Sequence, residues 1–532
     1  MNSVASRVLY AKISVSSRSD VDILRDLCNG EALRLYGWSI GGALQIPQRA
    51  LISSCLPQYT DYVEEFEVTA LIFPETSQRD ILRSLDLVLI KYANLHSFVW
   101  QPPFCDTELT IGVARLLPRL SGLKKLSIRV PFSLPPIPKA PSPVQASQNL
   151  DVITEEDEEE NQEDVHENSA SAPLSGENEV YADSNDEEDS VPYEYKPLED
   201  DPNDPSPTKS SLPYYIPPKE LRRLRTLVLT SPTNDVLMNL PETLYALERP
   251  IRSLRFEGNC GPVTPGTLTS LVPVLQGAEY FGLGLTYSIK YEELIPFLDR
   301  LPKLRKLEIF HYHQLYTRAS PFARLQSLKH LKVRHSHTNS RIQAVKMCVW
   351  IRRLISASCL EELEVVCENS DSQQCPPRGP GHGIRYDGLI EHLSARHRET
   401  LRVLRMPGSY LSKRSISKLL GKDGKGYNMI EELKLCNGTL SHLSLKESLG
   451  DLLDSASRMR LICLNVINLK RDTTLRVDES ILKGGGTHLC SVIVNGRGYR
   501  GEWTADLGYD DPIQPKLKAV FRISEIVERK MS

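Results

Sequence analysis

Apolar residues recur along this 532-residue chain as a three-anchor phrase: one apolar residue, two others, a second apolar residue, one other, and a third. The first occurrence is Val63, Phe66 and Val68. The phrase begins again at Leu95, Leu123, Leu224, Ile251, Ala278, Leu304, Leu328, Leu360, Leu401, Ile430, Leu461 and Leu489. Apart from one interval of 101 residues, the starts lie 24 to 41 residues apart. Leucine-rich repeats have periods of roughly 20–29 residues, and several intervals fall in that range. The last two anchors alternate, as residues on one face of a strand must. Helix-compatible segments lie between the phrases. "YEELIPFLDRLPKL" sets Leu294, Ile295, Phe297 and Leu298 on one stripe, and "YDGLIEHLSARHRETL" does the same with Leu389, Ile390 and Leu393. A single strand and helix cannot bury their apolar faces alone, so successive units must stack. The predicted fold is an α/β leucine-rich-repeat solenoid, a horseshoe with parallel inner strands and outer helices.

The interval of 101 residues marks an insertion. It begins with alternating prolines in "PFSLPPIPKAPSPVQ", which disfavour both helix and central strand. A carboxylate-dense, aliphatic-poor stretch follows, which cannot bury enough surface to offset chain entropy and is expected to be disordered. Within it Thr154 and Ser184 each have an acid three residues on, Asp157 and Glu187, a context that suits acidophilic kinases. The sequence divides into 1–30, N-terminal repeats over 31–130, the insertion over 131–217, C-terminal repeats over 218–498, and a cap or tail over 499–532. In that tail "PKLKAVFRISEIVERK" is expected to form a strand or helix covering the last open repeat.

Residues 1–30 read differently from the repeats. Ser6, Arg7, Leu9, Tyr10, Ile13 and Val15 in "VASRVLYAKISVSS" resemble the phrase that follows the F-box in fungal F-box leucine-rich-repeat proteins. The resemblance implies repeats that recruit a protein target. In that family a three-helix F-box precedes the phrase and holds the Skp adaptor of a cullin–RING ubiquitin ligase. Only three residues precede Val4 here, so the resemblance carries over target binding and not ligase assembly. The alternative is a repeat scaffold with no ubiquitin link, regulated through its acidic insertion.

Composition narrows the class. The net charge of -4 gives no chain-wide reason to expect nucleic-acid or membrane partners. The N-terminus lacks the apolar core of a signal peptide, and no apolar run is long enough to span a bilayer. Eleven cysteines scattered through apolar stretches fit buried reduced thiols in a cytoplasmic or nuclear protein. Cys348, Cys359, Cys367 and Cys375 lack the CxxC spacing of a zinc knuckle. "GKDGKG" at 421–426 lacks the register of a phosphate loop, and neither G-x-S-x-G nor H-E-x-x-H occurs. The reading is a non-enzymatic protein with no catalytic residues, cofactor or metal.

A partner is expected on the concave strand face, where residues between and after the anchors point outward. The candidates are Lys125, Arg129, Arg255, Tyr280, Lys306 and Phe310, then His311, His330, Lys332, Arg334 and His335. Mixed charge with aromatic rings suits a protein better than a phosphate backbone. The phrase "LPKLRKLEIFHYH" at 301–313 returns as "LQSLKHLKVRHSH" at 325–337, which aligns His311 with His335 and His313 with His337. Stacked strands lie about 4.8 Å apart, so each pair would be adjacent. Adjacent imidazoles are compatible with a metal or a pH-sensitive patch, and at repeat-equivalent surface positions they need be neither. On this facing, replacing His311 and His335 together leaves folding intact.

Overall fold

Each apolar phrase becomes one strand of a single sheet. The computed structural model of the chain describes residues 3–27, 46–73, 78–103, 107–129, 221–312, 321–336, 341–368, 386–406, 415, 429–437, 461–466, 491–494, 497–508 and 516–526. The strands, in chain order, are β1 (Lys12–Val15), β2 (Glu65–Val68), β3 (Ser97–Trp100), β4 (Lys125–Arg129), β5 (Thr226–Thr230), β6 (Ser253–Asn259), β7 (Tyr280–Leu285) and β8 (Lys306–His311). They continue as β9 (His330–His335), β10 (Glu362–Cys367), β11 (Val403–Met406), β12 (Glu432–Asn437), β13 (Leu461–Val466), β14 (Ser491–Val494), β15 (Arg497–Gly508) and β16 (Lys516–Ile526). Spatial order equals sequence order, and β1 through β14 are all parallel. The sheet is open, with β1 at one edge and β16 at the other.

Register does most of the packing. Leu307, Leu331, Leu363, Leu404 and Leu433 are successive ladder partners on β8 to β12. All five are at most 1% exposed. Burying each such side chain contributes roughly 1.5–3 kcal/mol, so one in-register column is worth as much as a whole small core. The segments between strands cover this face. The helix Tyr291–Leu298 buries Leu294, Ile295, Phe297 and Leu298, and the helix Asp387–Arg396 buries Leu389, Ile390 and Leu393, as the stripes predict. These residues belong to the same hydrophobic cluster as the strand leucines. Near the N-terminus the helix Arg18–Asp26 starts on a capping box, with Asp20 N–H donating to Ser17 Oγ and Ser17 N–H to the Asp20 carboxylate.

The structure adds to the sequence reading at three places. Tyr10, Ile13 and Val15 form a further anchor triple, all buried, and β1 pairs in register with β2 through Ile13–Phe66 and Val15–Val68. At β13 the ladder joins Leu433 to Ile462 and Leu435 to Leu464, so the frame lies two residues before the one given by the phrase beginning at Leu461. The tail supplies strands: β15 and β16 run antiparallel and extend the sheet edge beyond β14. One compact unit comprises 1–133 and 211–532; the second, 134–210, lies outside the described residues, as do Thr154, Ser184 and Cys375. Cys55, Cys260 and Cys348 are buried, Cys367 is half-buried and Cys359 is exposed, contrary to the expectation of uniformly buried thiols. No described helix is long and apolar enough to cross a membrane.

Two stability predictions follow from the core. Phe281 is fully buried with its ring edge-on to Phe256 at 6.3 Å and to Phe297 at 5.2 Å. Phe281→Ala should cost about 3–5 kcal/mol in urea unfolding. His397, 1% exposed, has neither ring nitrogen hydrogen-bonded. Burial, with the nearby His392 and Arg396, lowers its imidazole to about 4. An unfolded histidine titrates near 6.5, so between those values the unfolded chain binds the extra proton. Stability should therefore decline as pH falls from about 6.5 to 4, by at most about 3 kcal/mol, and His397→Leu should flatten the urea midpoint over that window.

Candidate interaction face

Period-2 alternation turns the first, third and fifth residues of each strand away from the helices. Because the strands share one register over their leading positions, with a shift only beyond Phe256 on β6, these residues form columns across the sheet. The first column over β4 to β10 is Lys125, Thr226, Ser253, Tyr280, Lys306, His330 and Glu362. The third-position column over β6 to β11 is Arg255, Gly282, Glu308, Lys332, Glu364 and Arg405. Nine of the residues expected on this face are there: Lys125, Arg129, Arg255, Tyr280, Lys306, Phe310, His330, Lys332 and Arg334.

His311 and His335 are the exceptions, and their expected facing is wrong. They occupy sixth positions, which share parity with Leu307, Ile309, Leu331 and Val333, and both are 2% exposed. They are Cα partners, as the repeated phrase implies. His311 stacks on Tyr291 with centroids 5.0 Å apart and lies 5.1 Å from Trp350. His335 Nδ1 is 2.8 Å from the Ser336 carbonyl, which can only accept, so this nitrogen carries the hydrogen. Its Nε2 is thereby left to accept from the Tyr386 hydroxyl at 3.4 Å. Among the described residues no group of three or more His, Cys, Asp or Glu side chains could hold a metal ion. His313 and His337 lie outside the described residues.

The outer face is laced by its own ion pairs. Glu308 is the centre of one network: the Tyr280 hydroxyl donates to it at 2.6 Å, Arg334 lies at 3.2 Å and Arg255 at 3.5 Å. Arg255 also pairs with Glu257, and Arg334 with Glu368 at 2.7 Å. Burial would raise the Glu308 carboxyl, but the Tyr280 hydrogen bond and the charges of Arg334, Arg255 and Lys332 hold it below its ordinary value. Burial and the same carboxylate push the Tyr280 hydroxyl up, so it remains a donor. Arg255 and Lys306 sit 5.2 and 4.8 Å from the Tyr280 ring centroid, Lys306 as its ladder partner and Arg255 from two positions along β6. Arg255 reaches Glu308 across β7 because the intervening position is Gly282, where a Cβ would lie 3.0 Å from the Arg255 Cγ.

Arg405 organises a second network. It grips Glu432 bidentately at 2.7 and 2.8 Å and reaches Glu362 at 2.6 Å. His330 Nδ1 lies 2.9 Å from Glu362, and Lys332 pairs with Glu364 at 3.4 Å. The hydrogen bond to Glu432 raises the Arg405 guanidinium, and Arg405 in turn lowers the Glu432 carboxyl against the opposing effect of burial. Gln101, just beyond β3, ties three further strands, donating to Ser127 at 2.6 Å and Thr230 at 3.1 Å and lying 3.5 Å from Glu257. Gln101, Arg405 and Glu432 are absent from the sequence-based site. Only the column register, applied beyond the nearest strand, would have found them. Arg129 turns to the Pro103 carbonyl at 3.2 Å.

No protein-family model matches the chain, and no curated protein matches it. Among solved structures, the crystal structure of the yeast Rad7 and Elc1 complex is similar at a TM-score of 0.24 and 13% identity, over 49% of this chain and 75% of that one.

The facing of the histidines can be tested directly. Joint His311→Ala and His335→Ala replacement should lower stability in urea unfolding by at least about 2 kcal/mol, because large side chains are removed from the packed side. Phe310→Ala, on the opposite side of the same strand, should cost clearly less.

Proposed function

We propose that the chain is a non-enzymatic protein-interaction scaffold of the leucine-rich-repeat kind, which takes a protein target on the outer face of its sheet. The observation that carries this is the in-register face itself. One side of the strands is buried under helices, and the other presents aligned columns of mixed charge with the Tyr280 and Phe310 rings. Such a surface suits a protein partner, whose own charges are mixed. Arg255, Arg334 and Arg405 are already matched by carboxylates of the same sheet, so their part is to hold the face rigid. The exposed Lys306 and the half-buried Tyr280 and Phe310 are left as its adhesive centre.

A ubiquitin-ligase link is not needed for this reading. Tyr10, Ile13 and Val15, half of the phrase that resembles the segment after an F-box, are core residues of the first strand unit, and that role accounts for their apolar character. The scaffold without ubiquitin chemistry is therefore preferred.

The test is capture from lysate by the full chain and by two variants, with quantitative mass spectrometry. Proteins retained by the wild type and by Lys346→Glu, on the exposed side of the helix Arg341–Leu354, should be lost from Lys306→Glu combined with Phe310→Ala. Equal retention by all three would remove the face from the proposal. Stoichiometric complex formation on mixing with purified Skp adaptor would restore the ligase reading.

A further inference from the structure

The net charge of -4 averages two unlike parts of the chain. Residues 131–217 hold 22 carboxylates against 3 lysines, which leaves 61 Lys and Arg against 46 Asp and Glu elsewhere, a net of +15. Register decides where much of that surplus goes. The residue just before each strand's first ladder position stands at the N-terminal edge of the sheet. From β4 to β9 these residues are Lys124, Arg225, Arg252, Glu279, Arg305 and Lys329. Their backbones form one continuous ladder, each N–H donating to the carbonyl of the one before at 2.7–2.8 Å. With strands about 4.8 Å apart, the row runs for about 24 Å.

The adjoining turns add Arg222, Arg223, Arg249, Arg300, Lys303 and Arg324, all exposed. Against these eleven cations the same stretch sets Glu248, Glu279 and Asp299. Glu279 is 4.0 Å from Arg252, Asp299 accepts the backbone N–H of Arg324 at 2.7 Å, and Lys329 pairs with Glu361, just before β10, at 2.6 Å. Lys124, Arg223, Arg249, Arg300, Lys303 and Arg305 have no ion-pair partner among the described residues. Like charges crowd here: desolvation and the charges of Arg249 and Arg252 lower Arg225 from the ordinary guanidinium value. At the β4 end the row opens into a cleft of about 610 Å³ lined by Lys124, Arg223 and His96, with Asp61 and the Arg7–Glu64 pair on its other side. On the outer face, by contrast, Arg255, Lys332, Arg334 and Arg405 all meet carboxylates of the same sheet. An edge that concentrates unmatched charge costs free energy through self-repulsion, and an anionic partner would relieve it.

We propose that this N-terminal edge of the sheet, from β4 to β9, is a sequence-independent binding site for the phosphate backbone of a nucleic acid. A linear row of cations suits a charged polymer better than a single anion. Eight of the eleven are arginines, whose planar fork takes phosphate oxygens bidentately. The 22 carboxylates of this chain compete with any anionic partner, and an acidic peptide is the weaker fit because duplex phosphates present the denser charge, about one per 1.7 Å.

The test is fluorescence anisotropy of the full chain with a labelled 24-base-pair duplex of arbitrary sequence, titrated at salt concentrations from 50 to 200 mM. If about five phosphates are engaged, affinity should fall on the order of 10²–10³-fold across that range. The triple variant Arg223→Glu, Arg249→Glu and Arg305→Glu should bind at least tenfold more weakly and show a shallower salt slope. Lys346→Glu should bind as the wild type does. The three arginines are exposed and unpaired, so thermal unfolding of the triple variant should match the wild type; if it does not, the milder pair Lys303→Gln and Arg305→Gln gives the same comparison. Three results would overturn the proposal: no duplex binding at 50 mM salt, undiminished binding by the variants, or displacement of the duplex by polyglutamate at equal charge concentration, which would assign the edge to an acidic protein instead.

Discussion

Parallel strands bond to their neighbours at a fixed spacing, and within each strand side chains alternate between two faces. Holding one register across fourteen strands makes those two facts govern everything else. Second and fourth residues become unbroken apolar columns, which is why Leu307, Leu331, Leu363, Leu404 and Leu433 can all be buried by the same layer of helices. A slip of one residue at any joint would reverse the facing of every strand beyond it. The apolar columns therefore fix the register, and the register places every polar group.

Polar groups respond in two ways. On the outer face, columns of opposite sign stand beside one another, and long side chains bridge neighbouring strands or, over Gly282, the next but one. Charge there is spent internally and yields a rigid surface. At the N-terminal edge the residues are laddered by backbone bonds, and the cations on successive strands meet few carboxylates. The same register thus makes one surface self-matched and the other unmatched.

Much of this was legible from the chain itself. Twelve of the thirteen anchor phrases carry the correct frame, because a buried apolar column tolerates little else. The miss at β13 arose because Leu461 and Leu464 also satisfy the template, and only pairing with Leu433 and Leu435 shows that Ile462 and Leu464 are the ladder residues. The strand at Ile13 does not stand out by spacing, because 53 residues, about two periods, separate Tyr10 from Val63. His311 follows Phe310 in sequence, but parity joins it to Leu307 and Ile309 on the buried side. The carboxylate network was out of reach for a different reason: Arg255 and Glu308 are 53 residues apart and belong to strands that are not even adjacent. Pairwise patterns inside one repeat carry no trace of such a contact.

The joint between β4 and β5 pairs Lys125 with Thr226, 101 positions away, where β5 and β6 pair Thr226 with Ser253, 27 positions away. Closure entropy grows only with the logarithm of loop length, so the longer connection costs about 1 kcal/mol more than an ordinary crossover. Five ladder residues on each side meet there, from Lys125–Thr226 to Arg129–Thr230, and the buried Leu126, Ile128, Leu227 and Leu229 outweigh that cost. The consequence is temporal. Every other parallel joint from β2 to β14 closes over a few dozen residues, whereas this one waits for a much longer excursion to return, and it is the natural seam at which two separately nucleated halves of the array come together during folding.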